Sequence, residues 1–399
     1  MNFKDLGLHA VLTDKCEQMG YTEPTPIQNK AIPVVLKGGD LIAFAETGTG
    51  KTAAFLLPIL HKLMTGNRPV GTKVLVLAPT RELANQTELF CRNFAPKGIT
   101  CTALIGGTGY GKQTAALRRK PTIIIATPGR LMDFMEQRAV DLSGLTTLVL
   151  DEADRMLDMG FLPAIKRIVR TLPAKRQTLF FSATMSKEVE RVGYSMLNDP
   201  KFVEASPRGK AAGTIHQVAY SVDQASKTTL LLDLLEREKF ERVLVFTRTK
   251  RAADRIAHIL EKRDHSSNRI HGDRSQPQRE AALRDFKTGK TRVLVATDVA
   301  ARGIDVESIS HVINFDIPEA PEDYVHRIGR TGRAGTTGRA ITLFTIAEEH
   351  SMRAIEKLTG QKVDRAVLPD LGDSLLTQTA VKNTVNQRRF RSFRSRRSR

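Results

Sequence analysis

Apolar residues in the first half of the chain gather in short unbroken runs, each followed by a loop and then by a pattern of helical period. The runs are rich in Val, Ile and Leu and lack alternating polar positions, which is typical of strands buried on both faces of a parallel sheet. Segments 52–64 and 82–94 carry apolar residues at helical spacing between these runs. Strand followed by helix, repeated along the chain, predicts an open parallel α/β sheet. The predicted strands cover residues 41–45, 74–78, 123–126, 148–150 and 179–181.

The pattern breaks at residues 205–214, where the sequence ASPRGKAAGT contains a proline, two glycines and no apolar period. That composition is typical of a linker. A second series of runs follows, at residues 243–246, 293–296, 311–315 and 340–344, and the helical pattern fades after about residue 358. The fold class predicted from this pattern is α/β, with two tandem domains. The predicted boundaries are a first domain at 1–205, a linker at 206–214, a second domain at 215–365 and a disordered Arg- and Ser-rich tail at 366–399.

Charge narrows the class of partner. Against 43 Asp and Glu the chain has 62 Lys and Arg, a formal net charge of +19, which indicates a polyanionic partner such as nucleic acid or an anionic membrane surface. The last 14 residues hold seven arginines and no acid, interleaved with Phe390 and Phe393. Such a tail can follow a phosphate backbone and stack its rings on bases, or it can be a charge run that only solvates the chain.

The three cysteines, Cys16, Cys91 and Cys101, lack the spacing of a zinc site or a disulfide framework, so we expect a reducing compartment. The N-terminus has no basic region followed by an apolar core, and a secretory signal is therefore not expected. No run approaches the roughly 18 apolar residues of a membrane span. These features predict a cytoplasmic protein without a membrane partner.

A glycine-rich segment, AETGTGKT, follows the predicted strand at 41–45 and opens a helical pattern, which is the context that a phosphate-binding P-loop requires. Its glycines let backbone N–H groups approach phosphate oxygens, its lysine would reach the β and γ phosphates, and its last threonine would ligate Mg²⁺. The strict pattern begins with glycine rather than alanine, so the motif alone also fits a glycine-rich turn. The predicted nucleotide loop comprises Ala45, Glu46, Thr47, Gly48, Thr49, Gly50, Lys51 and Thr52.

An acidic pair, Asp151 and Glu152, directly follows the predicted strand at 148–150. Ligands of open parallel sheets bind at the carboxyl ends of the strands, so we expect this pair to lie beside the phosphate loop. Asp151 suits Mg²⁺ binding, directly or through water, and Glu152 suits activation of the attacking water. An acidic pair at a strand end is by itself often a helix cap, and only the upstream loop favours the catalytic interpretation.

The chain resembles the DEAD-box RNA helicases, whose namesake motif stands unaltered at residues 151–154. The resemblance extends from about residue 3 to residue 344. It implies two RecA-like domains, ATP and Mg²⁺ as cofactors, RNA as partner, and local unwinding of short duplexes by ATP hydrolysis. The short core with a brief tail looks most like the bacterial RhlE-type branch, which suggests ribosome assembly or RNA decay only loosely. Further matching motifs are GYTEPTPIQ (20–28), PTRELA (79–84), GG (106–107), TPGR (127–130), SAT (182–184), HGDRSQPQR (271–279), ATDVAARGID (296–305) and HRIGRTGR (326–333).

The resemblance also implies roles for individual residues around the nucleotide. Gln28 would read adenine, in keeping with the ability of a carboxamide to meet adenine N6 and N7 together. Phe3 would stack on the base, and Tyr21 replaces a commoner Phe in the same segment. From the second domain, Arg330 and Arg333 resemble arginine fingers, Asp305 would contact the ribose hydroxyls, and Gly303 would bind the nucleotide. Because both halves would contribute to one site, hydrolysis is expected to require domain closure.

RNA contacts follow from the same resemblance. Hydroxyls, backbone N–H groups and arginines bind phosphate and sugar without reading bases, so binding should be largely independent of sequence and sensitive to salt. Ser182 and Thr184 would couple the phosphate state to strand separation. The predicted RNA contacts are Thr80, Arg81, Gly106, Gly107, Thr127, Gly129, Arg130, Arg248, Arg279 and Thr297.

Three functions remain open from the sequence. The favoured one is a monomeric, RNA-dependent ATPase that separates short duplexes. An RNA clamp or chaperone whose ATPase only times its residence would share every motif, and a strand-displacement assay separates the two. A DNA-translocating helicase shares the two-domain engine, but the DEAD and adenine-reading segments argue against it. The physiological RNA and the protein partners are not specified by any motif.

Overall fold

A computed structural model of the 399-residue chain describes residues 2–45, 48–67, 69–184, 186–205, 215–237, 240–301, 306, 309–332 and 337–366. The predicted linker, the tail beyond Ala366, and the predicted site residues Glu46, Thr47, Gly303, Asp305 and Arg333 lie outside these ranges. The described residues form two compact units, the first up to Ala205 and the second from Ile215.

The first unit is a parallel sheet of seven strands with helices on both faces, in the strand order β3-β4-β2-β5-β6-β1-β7. Its strands are β1 (Leu41–Phe44), β2 (Val74–Leu77), β3 (Cys101–Leu104), β4 (Ile123–Ala126), β5 (Thr147–Leu150), β6 (Gln177–Ser182) and β7 (Lys201–Glu204). Its helices are a 3₁₀ turn (Phe3–Leu6), α1 (Ala10–Gln18), α2 (Pro26–Leu36), α3 (Lys51–Thr65), α4 (Arg81–Phe94), α5 (Tyr110–Arg118), α6 (Pro128–Glu136), α7 (Ala153–Asp158), α8 (Leu162–Thr171) and α9 (Lys187–Met196).

Alternation along the buried strands builds two cores, one on each face of this sheet. In β1, Leu41 and Ala43 belong to one hydrophobic cluster, whereas Ile42 and Phe44 belong to the other. Successive strand side chains point to opposite faces, so a strand covered by helices on both sides needs apolar residues at every position. This requirement explains the unbroken apolar runs of the sequence.

The second unit repeats the architecture, with the strand order β10-β11-β9-β12-β13-β8-β14 and parallel pairing between all the described strands. Its strands are β8 (Ile215–Ser221), β9 (Val243–Thr247), β10 (Ser267–Ile270), β11 (Val293–Thr297), β12 (His311–Asn314), β13 (Gly338–Phe344) and β14 (Asp364–Ala366). Its helices are α10 (Lys227–Arg237), α11 (Lys250–Glu261), α12 (Gln276–Lys287), α13 (Asp298–Ala301), α14 (Pro321–Ile328), a 3₁₀ turn (Ile346–Glu348) and α15 (Glu349–Thr359).

The predicted α/β fold class with two tandem domains is confirmed, and each predicted apolar run contains or overlaps a strand. The pattern missed five strands, β3, β7, β8, β10 and β14. Four of these are sheet edges, and edge strands such as β7 and β14 are largely exposed, so their sequences lack the continuous apolar signal. β8 is internal, but His216 and Gln217 interrupt its apolar run.

Among the described residues, no helix combines the length and the apolar character needed to cross a bilayer.

Candidate functional site

The loop between β1 and α3 places backbone groups at the N-terminus of a long helix. Gly48 and Gly50 have φ angles of +86° and +90°, the left-handed region that favours glycine, and Gly50 is the N-cap of α3. A Cβ on Gly50 would lie 2.3 Å from Nε2 of Gln28, so the close approach admits no side chain. The buried Lys51 ammonium donates to the carbonyl of Ala45 at 2.9 Å. A helix N-terminus with a lysine directed back along its loop is suited to binding phosphate.

Gln28 forms hydrogen bonds through both ends of its carboxamide, and one of them reaches the phosphate loop. Its Oε1 accepts from the backbone N–H of Thr25 at 2.9 Å, and its Nε2 donates to the carbonyl of Gly50 at 3.1 Å. The glutamine therefore joins the start of α2 to the phosphate loop. A carboxamide carries two N–H groups and two oxygen lone pairs, so these bonds leave capacity for a further ligand.

The two predicted aromatic contacts differ in exposure. Phe3 is only 4% exposed and lies in the first hydrophobic core cluster. Tyr21 is 40% exposed and stacks on Phe94, with 6.1 Å between the ring centroids. Thr52, the predicted metal-binding hydroxyl, lies in the first turn of α3 and is half-buried.

β5, β6 and β1 are neighbours in this order, so Ser182 at the end of β6 lies between the strand ends that carry Asp151 and Ala45. Asp151 is 2% exposed, and its Oδ1 has no hydrogen-bond partner in the described part of the chain. Burial raises the pKa of Asp151 to about 7, the Glu152 carboxylate adds to the shift, and the Lys51 ammonium opposes it. A buried carboxylate oxygen that lacks a protein donor is well suited to a cation.

Glu152 is held in a strained backbone conformation at the start of α7. Its φ and ψ are 50° and 53°, the left-handed region that non-glycine residues rarely occupy. The side chain is buried and forms an ion pair with Arg155, which is 1% exposed. Arg155 was not predicted as a site residue, although it directly follows the acidic motif in sequence.

Asp154 joins this acidic motif to the loop after β6. Its Oδ2 accepts from Ala183 N at 3.1 Å, from Thr184 N at 2.8 Å and from Thr184 Oγ1 at 2.9 Å. The Ser182 hydroxyl donates to the carbonyl of Thr184 at 2.7 Å. The structure thus brings the two predicted coupling residues together with the acidic motif through Asp154, a contact that sequence spacing does not reveal.

A second group of predicted residues lies on the loops after β2, β3 and β4. Arg81 packs so closely on the glycine pair that a Cβ on Gly107 would lie 1.9 Å from its Nη1 atom, and Gly107 has a φ of +73°. Gly106 also borders this guanidinium, and a Cβ there would lie 3.4 Å from Nη2. The Thr80 hydroxyl caps α4 by accepting from Leu83 N at 3.2 Å. The glycine pair therefore provides the space for the arginine.

The loop after β4 contacts the same glycine-rich segment. Arg130 is 8% exposed, donates to the carbonyl of Thr108 at 3.1 Å, and lies over the Tyr110 ring at 4.2 Å from the centroid. The Thr127 hydroxyl is directed at the carbonyl of Leu104 at 3.5 Å, and Gly129 is exposed in the first turn of α6. The predicted RNA contacts of the first unit therefore lie on neighbouring loops at the carboxyl edge of the sheet.

In the second unit, Arg248 directly follows β9, and Thr297 is the last residue of β11. The two strands are neighbours in the sheet. Arg248 donates through Nη2 to Glu348 at 3.1 Å and to the carbonyl of Ile317 at 3.3 Å. Arg279 is 8% exposed on α12. Arg330 is 3% exposed, and its Nε donates to the carbonyl of His326 at 3.3 Å.

The sequence interpretation missed an extensively hydrogen-bonded arginine of this unit. Arg327 is 2% exposed and forms a bidentate ion pair with Asp298, with N–O distances of 2.5 and 2.7 Å. It also donates to Asn314 Oδ1 at 3.2 Å and to the carbonyl of Asp316 at 2.6 Å. Arg327 and Asp298 both lie inside the sequence motifs named above, and this position in the motifs could have marked them as candidate site residues.

A phosphate loop and an acidic strand end on one parallel sheet, followed by a second sheet of the same topology, define a nucleotide-hydrolysing protein with two RecA-like domains. Residues 25–192 match the DEAD/DEAH box helicase family, and residues 226–335 match the helicase conserved C-terminal domain. The DEAD-box ATP-dependent RNA helicase CshA of Bacillus subtilis (strain 168) is 42% identical over 382 residues, covering 96% of this chain and 77% of the relative. CshA of Geobacillus kaustophilus is 43% identical over 95% of this chain and 81% of the relative.

Solved structures give the same result. Dbp5 of S. cerevisiae bound to RNA and ADP BeF3 superimposes with a TM-score of 0.84 at 30% identity, covering 95% of this chain and 99% of that chain. Mss116p bound to ssRNA and AMP-PNP gives a TM-score of 0.85 at 27% identity, covering 94% of this chain and 80% of that chain. The chain belongs to the DEAD-box family of ATP-dependent RNA helicases: it is an RNA-dependent ATPase that binds RNA. The relatives named here are of the CshA type, and the resemblance to the RhlE-type branch is not supported by them.

Proposed function

We propose that this helicase hydrolyses ATP with Asp151 as the Mg²⁺ ligand, Glu152 as the group that activates water, and Lys51 and Thr52 as phosphate and metal contacts. The observation that carries the proposal is the buried Oδ1 of Asp151, which has no donor among the described residues while its pKa is raised to about 7. A cation beside this oxygen would remove the cost of burying its charge. The residues present therefore fit a magnesium ion.

The chain's own groups then divide the work. The loop N–H groups at the start of α3 and the Lys51 ammonium bind the phosphates and hold them at the end of β1. Bound Mg²⁺ supplies charge neutralisation on the phosphate oxygens. The Glu152 carboxylate accepts a proton from the attacking water, and Arg155 fixes the orientation of that carboxylate through its ion pair. Gln28, Phe3 and Tyr21 remain proposed adenine contacts.

Asp154 is the proposed connection between hydrolysis and the RNA-facing loops. A change at Asp151 or Glu152 would move the start of α7, and Asp154 would transmit this movement to Ala183 and Thr184, which together donate three hydrogen bonds to its Oδ2. Ser182 supports the same loop through its bond to the Thr184 carbonyl. Coupling through packed, hydrogen-bonded elements of this kind needs no direct contact between ATP and RNA.

We propose that the second domain completes the activity. Arg330 and Arg333 would stabilise the charge on the transferring phosphoryl group, Asp305 would contact the ribose, and Gly303 would bind the nucleotide. RNA would run over the residues Thr80, Arg81, Gly106, Gly107, Thr127, Gly129 and Arg130 of the first domain and over Arg248, Arg279 and Thr297 of the second. These contacts recognise the backbone, so binding is expected to be independent of base sequence and to weaken with salt.

At the level of the cell, we propose a cytoplasmic monomer with a CshA-like role. The 42–43% identity to CshA proteins supports this branch. Ribosome-assembly and RNA-decay complexes are the proposed partners. The proposed domains are residues 1–205 and 215–365. The basic tail at 366–399 is proposed to act as an additional RNA tether.

The residue roles are tested by exchanging Glu152 for Gln in the full chain. We expect RNA-stimulated ATP hydrolysis to fall by roughly 10²–10⁴-fold, the contribution of a positioned general base, while ATP-dependent RNA binding persists. Asp158→Asn, on the exposed side of the same helix, is the matched control and should hydrolyse ATP at the wild-type rate. A Glu152→Gln enzyme with near wild-type hydrolysis would exclude Glu152 as the activating group.

A further inference from the structure

A cavity of about 350 Å³ lies at the carboxyl end of β9 and β12 in the second domain. Among the described residues, its walls include three arginines, Arg248, Arg251 and Arg255, and one acid, Asp316, while the buried Phe315 contributes an apolar surface. None of the sequence motifs includes Arg251 or Arg255. The cavity is large enough to hold part of a nucleotide chain and carries an excess of positive charge.

The arginines of this cavity differ from the neighbouring basic residues in their pairing with acids. Lys250, the first residue of α11, pairs with Asp273 at 2.7 Å, and Arg269 on the adjacent β10 pairs with Asp254 at 3.0 Å. Within the described part of the chain, Arg251 and Arg255 have no acidic partner. They are four residues apart on one helix face, where like charges repel each other. An anion in the cavity would convert this repulsion into attraction.

The third arginine is anchored. Glu348 accepts from Arg248 at 3.1 Å and also from Lys227 at 3.2 Å, and Lys227 is fully buried. The Asp316 carboxylate accepts the backbone N–H of Arg248 at 2.9 Å, so much of its charge is already engaged. Thr249 caps α11, whose positive helix end faces the same region. Arg248 is therefore held in place at one side of the cavity, while Arg251 and Arg255 supply the additional positive charge.

We infer that this arginine cavity is an additional RNA-backbone subsite, in which Arg251 and Arg255 bind phosphates of the strand beyond the segment held by the core motifs. The inference rests on the proposed RNA path through Arg248, because Arg248 belongs to both. RNA is favoured over a free polyphosphate because the cavity is continuous with that path. Cβ atoms about 5–6 Å apart on one helix face present two cations in a row, as a backbone-tracking groove requires.

The test compares RNA length and salt dependence in the full chain. Fluorescent RNAs of about 6 and about 16 nucleotides are titrated with protein in the presence of Mg²⁺ and a non-hydrolysable ATP analogue. For Arg251→Gln/Arg255→Gln, the salt slope of log Kd for the long RNA should be smaller by about 1.4, since each single-strand phosphate contact contributes about 0.7. At about 0.1 M salt this corresponds to roughly 25-fold weaker binding, with the short RNA unaffected.

Two further variants make the result specific. Arg353→Gln/Lys357→Gln removes the same charge from the exposed side of α15 and should bind both RNAs like the wild type. Arg251→Lys/Arg255→Lys keeps the charge and should keep the salt slope.

Several outcomes would overturn the inference. An equal loss for the short RNA would place both arginines inside the core path, and an equal loss in the α15 variant would reduce the effect to net charge. Unchanged RNA binding, together with thermal stabilisation by inorganic tripolyphosphate that only the wild type shows, would identify a free polyanion site instead. Failure of the wild type itself to bind the short RNA would contradict the proposed core contacts, which is distinguishable from a failure confined to the cavity.

Discussion

Replacing Asp154 by asparagine removes the charge that holds the loop after β6 to the acidic motif. At least four donors from the described residues converge on this carboxylate. Oδ2 accepts from Ala183 N and from both N and Oγ1 of Thr184, at 2.8–3.1 Å, and Oδ1 accepts from Arg155 N at 3.0 Å. Asparagine has only one oxygen, so its amide group must face at least one of these donors. The substitution is nearly isosteric, and the packing of the loop is otherwise unchanged.

The magnitude follows from this count. If the amide oxygen takes the place of Oδ2, three charge-assisted bonds become neutral ones and lose about 1 kcal/mol each. The bond from Arg155 N is lost as well, which costs about 1–3 kcal/mol for a buried donor. A local cost of about 4–6 kcal/mol exceeds the roughly 1–3 kcal/mol that typically couples two sites. We therefore expect the loop to detach from the nucleotide site before the domain unfolds.

The assay measures strands displaced per ATP hydrolysed, with a short RNA duplex as substrate. For Asp154→Asn we expect this ratio to fall at least about tenfold, which corresponds to the loss of about 1.4 kcal/mol of coupling. Thr184→Ser keeps the hydroxyl and should behave like the wild type, whereas Thr184→Ala loses one of the three bonds to Oδ2 and should be intermediate. Asp158→Asn is the control for charge on the same helix.

Two results would refute this reasoning. One is an Asp154→Asn enzyme that displaces as many strands per ATP as the wild type. The other is strict additivity of Asp154→Asn and Thr184→Ala in a double-mutant cycle, because residues that share hydrogen bonds must show an interaction energy.

Two further perturbations follow from local geometry. Gly107→Ala places a Cβ 1.9 Å from Arg81 Nη1 at a φ of +73°. The resulting strain of about 1–2 kcal/mol should weaken RNA binding roughly tenfold in an RNA titration. Gly111→Ala is the control, because its Cβ meets nothing within 4 Å, and it should bind RNA normally. Burial against Phe240 and the charge of Arg339 lower the pKa of His311 from 6.5 to about 4. Between these pH values the unfolded chain binds a proton at His311 that the folded protein does not bind, so His311 lowers stability as pH falls from about 6.5 to about 4. His311→Phe should therefore reduce the pH dependence of the melting temperature measured by calorimetry. Exchange of the exposed His258 should leave that dependence unchanged.

Much of this protein is readable from its sequence, because the strands that carry the site are buried on both faces. Such strands must be apolar at every position, and Val74–Leu77 or Ile123–Ala126 therefore appear as unbroken runs. The functional residues at the strand ends can also be predicted from the sequence. The backbone conformation of the loop favours glycine at positions 48 and 50, and the proposed metal ligand and base require acids after β5. The sequence determined the fold class, the location of the phosphate loop and the acidic motif, and the excess of positive charge.

Tertiary structure decided which of these groups act on one another. Asp154 and Thr184 are 30 residues apart and meet only because β5 and β6 are paired, and Arg81 reaches Gly107 only because the loops after β2 and β3 converge. The partners of Arg327, and the lack of an acidic partner for Arg251 and Arg255 among the described residues, likewise depend on which strands become neighbours. A local sequence pattern predicts burial, because each residue's own polarity indicates whether it is buried. Which residues contact one another depends on the order of the strands in the sheet, and no single residue encodes that order.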